Sequence, residues 1–275
     1  MKKEEYRVMY IGAHPDDADL EAGGTLSMMA EAGARVRIVS VCNGNKGHQS
    51  MMPDELAARR YNEAQAAGKV LGVENYTILN HPDCELDAGR PEREELARII
   101  RSFSPHVIIT HRTCDYHADH RAVGQLVQDC TYLLGVPLWL PDTPIPSVKP
   151  LVVFSRDEFD VPRELRPDLM VDVSARRRKM IDASSCHESQ LFEWLPWEMQ
   201  LTDLPDRKDK AAVDAFVDRY WLKRKHRDAA RFGGAWLKAR GANATPELLE
   251  VFEVSQYGRA PDAADLAWFG YEEKS

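Results

Sequence analysis

Two apolar runs, far apart in the chain, each end abruptly in imidazoles and carboxylates, and this pairing limits the fold more than any other feature. The first, Tyr6-Arg-Val-Met-Tyr-Ile-Gly12, leads into Ala13-His-Pro-Asp-Asp17. The second, His106-Val-Ile-Ile-Thr-His-Arg112, leads into Asp115-Tyr-His-Ala-Asp-His120. In an open parallel α/β sheet, ligands gather beyond the carboxyl ends of the strands, where the strand order reverses. The two clusters therefore predict neighbouring strands that share one site.

The rest of the chain supports such a sheet. Short apolar or β-branched runs at Arg7 to Gly12, Val36 to Val41, Tyr76 to Leu79 and Val107 to Thr110 have the character of strands buried on both faces. Helical patterns over 22–33, 54–71 and 92–103 separate them. Leu96, Ile99, Ile100 and Phe103 share one helix face, and Gly33 and Gly72 stand where helices stop. The expected fold is α/β: a Rossmann-like, doubly wound, mostly parallel sheet flanked by helices. No Gly-x-Gly-x-x-Gly follows the first strand, so a dinucleotide is not expected. The proline-rich stretch 137–167 is expected to form extended loops at the rim. Leu151 to Phe154 and Leu169 to Val173 read as further strands, and 208–231 as one charged amphipathic helix. Residues 1–275 are expected to form a single domain with a C-terminal extension from about 191.

His14, Asp17 and one histidine of the second cluster would make a catalytic zinc set, which takes three protein ligands and leaves a position for water. Asp16 projects differently from the same turn and is then free to accept a proton. Set against this is a plainer possibility, since an aspartate before a helix also caps its free N–H groups. Two clusters at two strand ends favour the metal.

The motifs resemble those of the LmbE/PIG-L-like zinc deacetylases, which act on N-acetylglucosamine-containing molecules. The first motif appears as Ala13-His-Pro-Asp-Asp17-Ala-Asp-Leu-Glu-Ala-Gly-Gly-Thr25 and the second as His117-Ala-Asp-His-Arg121. Arg60-Tyr-Asn-Glu63 and His187-Glu-Ser-Gln190 are weaker marks in the same order. The resemblance implies His14, Asp17 and His120 as metal ligands and Asp16 as general base. It also implies His117 as the group that stabilises the oxyanion or protonates the leaving amine, and Asp119 as a carboxylate orienting a histidine. It suggests substrate contacts for Arg60 and Asp83, and His187 could close over the site. Ala18 and Ala118 depart from the commonest form of the motifs without removing a ligand. His111, at a strand end beside the second cluster, is the best candidate to support the ligands. The expected reaction is removal of an acetyl group from an N-acetylglucosamine-type amide, with one zinc per chain; iron, cobalt or manganese would also suit the donors.

The net charge of −8 and the absence of a basic stripe argue against nucleic acid as a partner. No long apolar segment or leader-like start is evident, so a soluble cytoplasmic protein without membrane insertion is expected. The five cysteines, Cys42, Cys84, Cys114, Cys130 and Cys186, have no Cys-x-x-Cys spacing and suit free thiols. The expected partner is a small acetylated amino-sugar conjugate, with homo-oligomerisation suggested by the symmetric assemblies of related enzymes. Two other readings compete: a metal-dependent phosphoesterase, which in its two-metal form needs more bridging carboxylates, and a catalytically silent carbohydrate-binding protein.

Overall fold

The computed structural model describes residues 6–271. The chain runs β1 (Arg7–Gly12), α1 (Asp17–Glu31), β2 (Arg35–Cys42), α2 (Pro53–Leu71), β3 (Asn75–His81), α3 (Arg90–Phe103), β4 (Val107–Thr110), α4 (Ala118–Leu133) and β5 (Leu151–Ser155). It continues with β6 (Leu169–Asp172), α5 (Arg177–Ser184), a π-helical turn (Ser189–Trp194), α6 (Leu195–Glu198), α7 (Lys210–Tyr220), α8 (Lys223–Arg240), β7 (Leu249–Gly258) and α9 (Ala263–Trp268).

The seven strands of the described residues form one sheet in the order β3-β2-β1-β4-β5-β7-β6. The first five are parallel, whereas β7 runs antiparallel to both β5 and β6. The chain steps outward from β1 to β2 and β3, then returns to place β4 on the other side of β1. This reversal sets the carboxyl ends of β1 and β4 side by side, with Ile11 opposite Thr110. The crevice beyond them is where a sheet of this kind binds its ligand.

The apolar runs are continuous because the sheet is covered on both faces. Val8 and Tyr10 of β1 pack with α1, α2, α5 and α7, while Met9 and Ile11 pack on the opposite face with α3 and α4. Gly72 ends α2 in the left-handed region at φ 81°, donating its N–H to Gly68 O at 3.0 Å.

Several expectations need correction. The first helix begins at Asp17 rather than at 22, because the His-Pro-Asp turn closes at once: Asp16 N–H donates to His14 O at 2.9 Å. The stretch 208–231 is two helices, broken where Leu222 turns into the core. The proline-rich stretch is split by β5. Its first part, around Pro146 and Pro150, lies by the C-terminal end of α4 before β5 begins, and the part after β5 is held to Arg112, just beyond β4, through Asp157, Phe159 O and Arg163 O. The segment from about 191 onward, expected as an extension of the single domain, contributes β7 to the same sheet.

Candidate metal centre

The turn after β1 fixes the first cluster. Asp17 folds its side chain back so that Oδ2 accepts the N–H groups of Ala13 at 2.9 Å and His14 at 2.7 Å. The second cluster is fixed by a helix cap. His117 precedes α4, and its Nδ1 accepts the N–H of Asp119 at 3.1 Å, which puts Asp119 and His120 in the first turn of α4.

The two clusters meet. His14 Nδ1 lies 3.2 Å from His120 Nε2, and His120 Nε2 lies 3.3 Å from Asp17 Oδ1. Donors about 2.0–2.1 Å from a tetrahedral zinc stand about 3.4 Å apart, so these separations fit the ion. Each of these three residues is also held from behind. Asp119 Oδ2 is 3.1 Å from His14 Nε2, Asp115 Oδ1 is 3.0 Å from His120 Nδ1, and His111 Nε2 is 3.0 Å from Asp17 Oδ2. Such partners fix which ring nitrogen faces the ion and raise ligand basicity. The other metal-compatible groupings, His14–His117–Asp119, His14–Cys42–Asp83 and Glu21–His111–His120, each share His14 or His120 with this one. They therefore describe one centre rather than two.

The electrostatics of the cluster follow from these contacts. Burial works against charge on Asp17, but His120 and His111 outweigh it and hold the carboxyl well below the usual range. Burial likewise opposes charge on His120, yet Asp17 and Asp115 raise it. Asp119 is lowered to about 2, because the hydrogen bonds from His14 and from Cys84 N–H overcome its burial. Burial first, then the neighbouring His14 and His120, lowers His117 and favours its neutral form. Because its Nδ1 accepts a backbone N–H, the proton of the neutral ring is on Nε2. The Cys42 thiol is pushed up by burial and by the carboxylates of Asp119 and Asp83, which makes it the weakest of the candidate donors.

The remaining predicted residues surround this cluster below the surface. Asp16 Oδ1 is 3.1 Å from Arg60 Nη2, and among the described residues no hydrogen bond reaches its Oδ2. Arg60 also reaches Gly44 O at 3.2 Å and Asp83 Oδ2 at 3.4 Å, and it is 2% exposed. Asp83 is similarly enclosed, accepting the N–H of Gly44 at 2.8 Å. His187 is fully buried with Nε2 3.0 Å from Asp19 Oδ2. Arg60, Asp83 and His187 are thus buried and hydrogen-bonded within the protein. The role of Asp115 was not assigned from the sequence, although it stands in the second cluster. Glu21, 3.6 Å from His111 Nδ1, was missed altogether; its signal is the spacing of four from Asp17 on one helix face.

The model of the PIG-L family, described as GlcNAc-PI de-N-acetylase, matches residues 9–131 and so spans both clusters. Over that stretch the chain is similar to the LmbE/PIG-L-like family. Among its relatives is a diacetylchitobiose deacetylase of Thermococcus kodakarensis, 28% identical over 71% of this chain and 74% of that one. Another is a 4-oxalmesaconate hydratase of Pseudomonas putida, 25% identical over 70% of this chain and 78% of that one. In fold, the PIG-L-like chain resembles the N,N'-diacetylchitobiose deacetylase from Pyrococcus horikoshii, with a TM-score of 0.71, 22% identity, and coverage of 90% of this chain and 83% of that one. Among the described residues no helix is long and apolar enough to cross a membrane.

Proposed function

We propose that the chain is a zinc-dependent hydrolase that removes the acetyl group from an N-acetylglucosamine-type amide. The observation that carries this is the convergence of His14, Asp17 and His120, each backed by its own partner, beside a carboxylate and an imidazole that are not ligands. Zinc held by those three residues supplies Lewis acidity toward an amide carbonyl and makes water a stronger acid.

The chain's own groups then divide the proton work. Asp16, held through Oδ1 by Arg60, keeps Oδ2 available to take a proton from the attacking water. His117 presents Nε2–H, suited to hydrogen bond to the developing oxyanion and then to protonate the departing amine. The base and the donor are held by different elements, the β1–α1 turn and the cap of α4, so each keeps its place as the other moves a proton.

The test is acetate release by metal-loaded protein from diacetylchitobiose, methyl N-acetylglucosaminide and an N-acetylglucosaminyl inositol. Release from at least one is expected. A second reading, hydration of an unsaturated oxo acid, is favoured only by the relationship to the Pseudomonas putida hydratase. Loss of the conjugated chromophore of such an acid, with no acetate release from the sugars, would select it. A phosphoesterase would instead release phosphate from an ester, and a silent binder would hold the sugars without turnover.

A further inference from the structure

A charged cleft beside the first turn of α1 has no part in the chemistry above. It encloses about 190 Å³, with walls that include Leu20, Glu158 from the segment after β5, Trp221, and Lys223, Arg224 and Arg227 from the start of α8. Leu20 N–H donates to Asp16 O at 3.0 Å, so the wall of the cleft and the proposed base are one helical turn apart, about 6 Å along α1.

The cleft carries an excess of cations. α8 opens with Lys223-Arg-Lys-His-Arg227 and has no acidic residue in its first turn, against the preference of a helix N-terminus for negative charge. Burial disfavours charge on Arg224, but Glu21, Asp228 and Glu158 outweigh it and keep the guanidinium cationic. All three carboxylates have nearer partners. Glu21 accepts the hydroxyls of Tyr10, at 2.7 Å, and Ser155. Asp228 pairs with Arg156 at 2.7 Å, and Glu158 with Arg227 at 2.8 Å. Among the described residues, Lys223 and Arg224 have no ion-pair partner within 4.0 Å. Trp221 Nε1, in the same wall, is a buried donor without a hydrogen-bond partner. The wall is also fixed in place: Lys225 Nζ donates to Leu20 O at 2.7 Å and lies 3.2 Å from Glu250, which ties the start of α8 to α1.

We propose that this cleft receives an anionic group, a carboxylate or a phosphate ester, on the part of the substrate attached to the acetylated amino sugar, with Arg224 and Lys223 as its partners. The inference rests on the deacetylase reading and names the class of conjugate. A planar guanidinium suits the paired oxygens of either anion, and Lys223 adds a point charge at the exposed edge.

The experiment compares methyl N-acetylglucosaminide, its carboxymethyl counterpart and N-acetylglucosamine 1-phosphate with metal-loaded wild type, R224Q and K223Q. KM and kcat are measured for each, with calorimetric binding in parallel. Wild type should bind at least one anionic compound about tenfold or more tightly than the neutral one, as expected for one charge-assisted contact. R224Q should erase most of that preference through KM, and K223Q should erase part of it; the anion that loses more identifies the natural group. Equal handling of all three compounds by wild type overturns the inference, as does an equal loss for neutral and anionic compounds in both variants. Hydrolysis of the neutral sugar without anion preference would leave the deacetylase standing and the cleft reading wrong. If no compound is hydrolysed, the deacetylase reading fails, and the binding preferences still decide whether the cleft takes anions.

Discussion

Asp119 lies behind His14: its Oδ2 is 3.1 Å from His14 Nε2, although Asp119 adjoins His120 in sequence. The second cluster thus supplies the support for a ligand from the first, and Asp119 is itself held by Cys84 N–H at 2.6 Å. Asp119→Asn is expected to weaken metal binding by about 10–100-fold, the usual effect of losing such a partner, and Asp115→Asn should do the same through His120. Competition with a chromogenic chelator measures both. Wild-type affinity in the two variants would contradict the assignment.

Arg60 binds two carboxylates at once, Asp16 at 3.1 Å and Asp83 at 3.4 Å. Arg60→Met should cost about 3–5 kcal/mol of stability, because it leaves buried carboxylates without their cation. Turnover should fall as well, as Asp16 loses its anchor. Denaturant titration and initial rates on the same preparation give both numbers.

Gly124 lets α4 approach the end of β4. A Cβ there would stand 2.7 Å from His111 O and 2.8 Å from Arg112 O, both backbone atoms that cannot yield as a side chain can. Gly124→Ala is expected to cost about 1–3 kcal/mol by overpacking and to lower metal affinity, since the same displacement moves His111 and His120 apart. An unchanged denaturation midpoint would show that the contact is slack.

Asp265 gives the fold a specific acid sensitivity. It accepts hydrogen bonds from Arg259 Nη2 at 2.8 Å and Tyr6 at 2.5 Å. Burial opposes its charge, but Arg259, the Asp262 N–H and Tyr6 lower its pKa below the ordinary value. A carboxyl depressed in the folded state binds protons more readily when unfolded, so its contribution is complete above the unfolded value of about 3.9 and is lost as pH falls through the folded one. Glu253, depressed despite burial by Arg163 and Arg166, acts in the same direction. Denaturant titrations from pH 7 to pH 3 should show stability falling at the acid end, and Asp265→Asn should be less stable at pH 7 with a shallower fall.

The convergence of the two clusters was legible in the sequence because both stand at strand ends. The rule that parallel strands deliver ligands at their carboxyl ends points to His14, Asp17 and one histidine of the second cluster, and the family resemblance points to His120. The hydrogen-bond partners were less legible, since nothing local says that Asp119 faces His14 rather than His117. β7 escaped notice for a different reason. Glu250 and Glu253 break its apolar character, yet both are buried: the first accepts Gly24 and Thr25 N–H and pairs with Lys225, and the second pairs with Arg163. Long-range partners made a central strand out of a charged segment. The break between α7 and α8 has no glycine or proline to announce it, because the turn is set by Leu222 entering the core.

The central claim is that Asp16 serves the reaction and not the ion. The most direct measurement is turnover by wild type and Asp16→Asn on the substrate that wild type hydrolyses best, with metal content determined on the same samples. The account predicts one metal per chain in both and a kcat reduced about 10²–10⁴-fold in the variant, the usual contribution of a positioned base. Undiminished turnover in Asp16→Asn, or loss of the metal together with the activity, would contradict it.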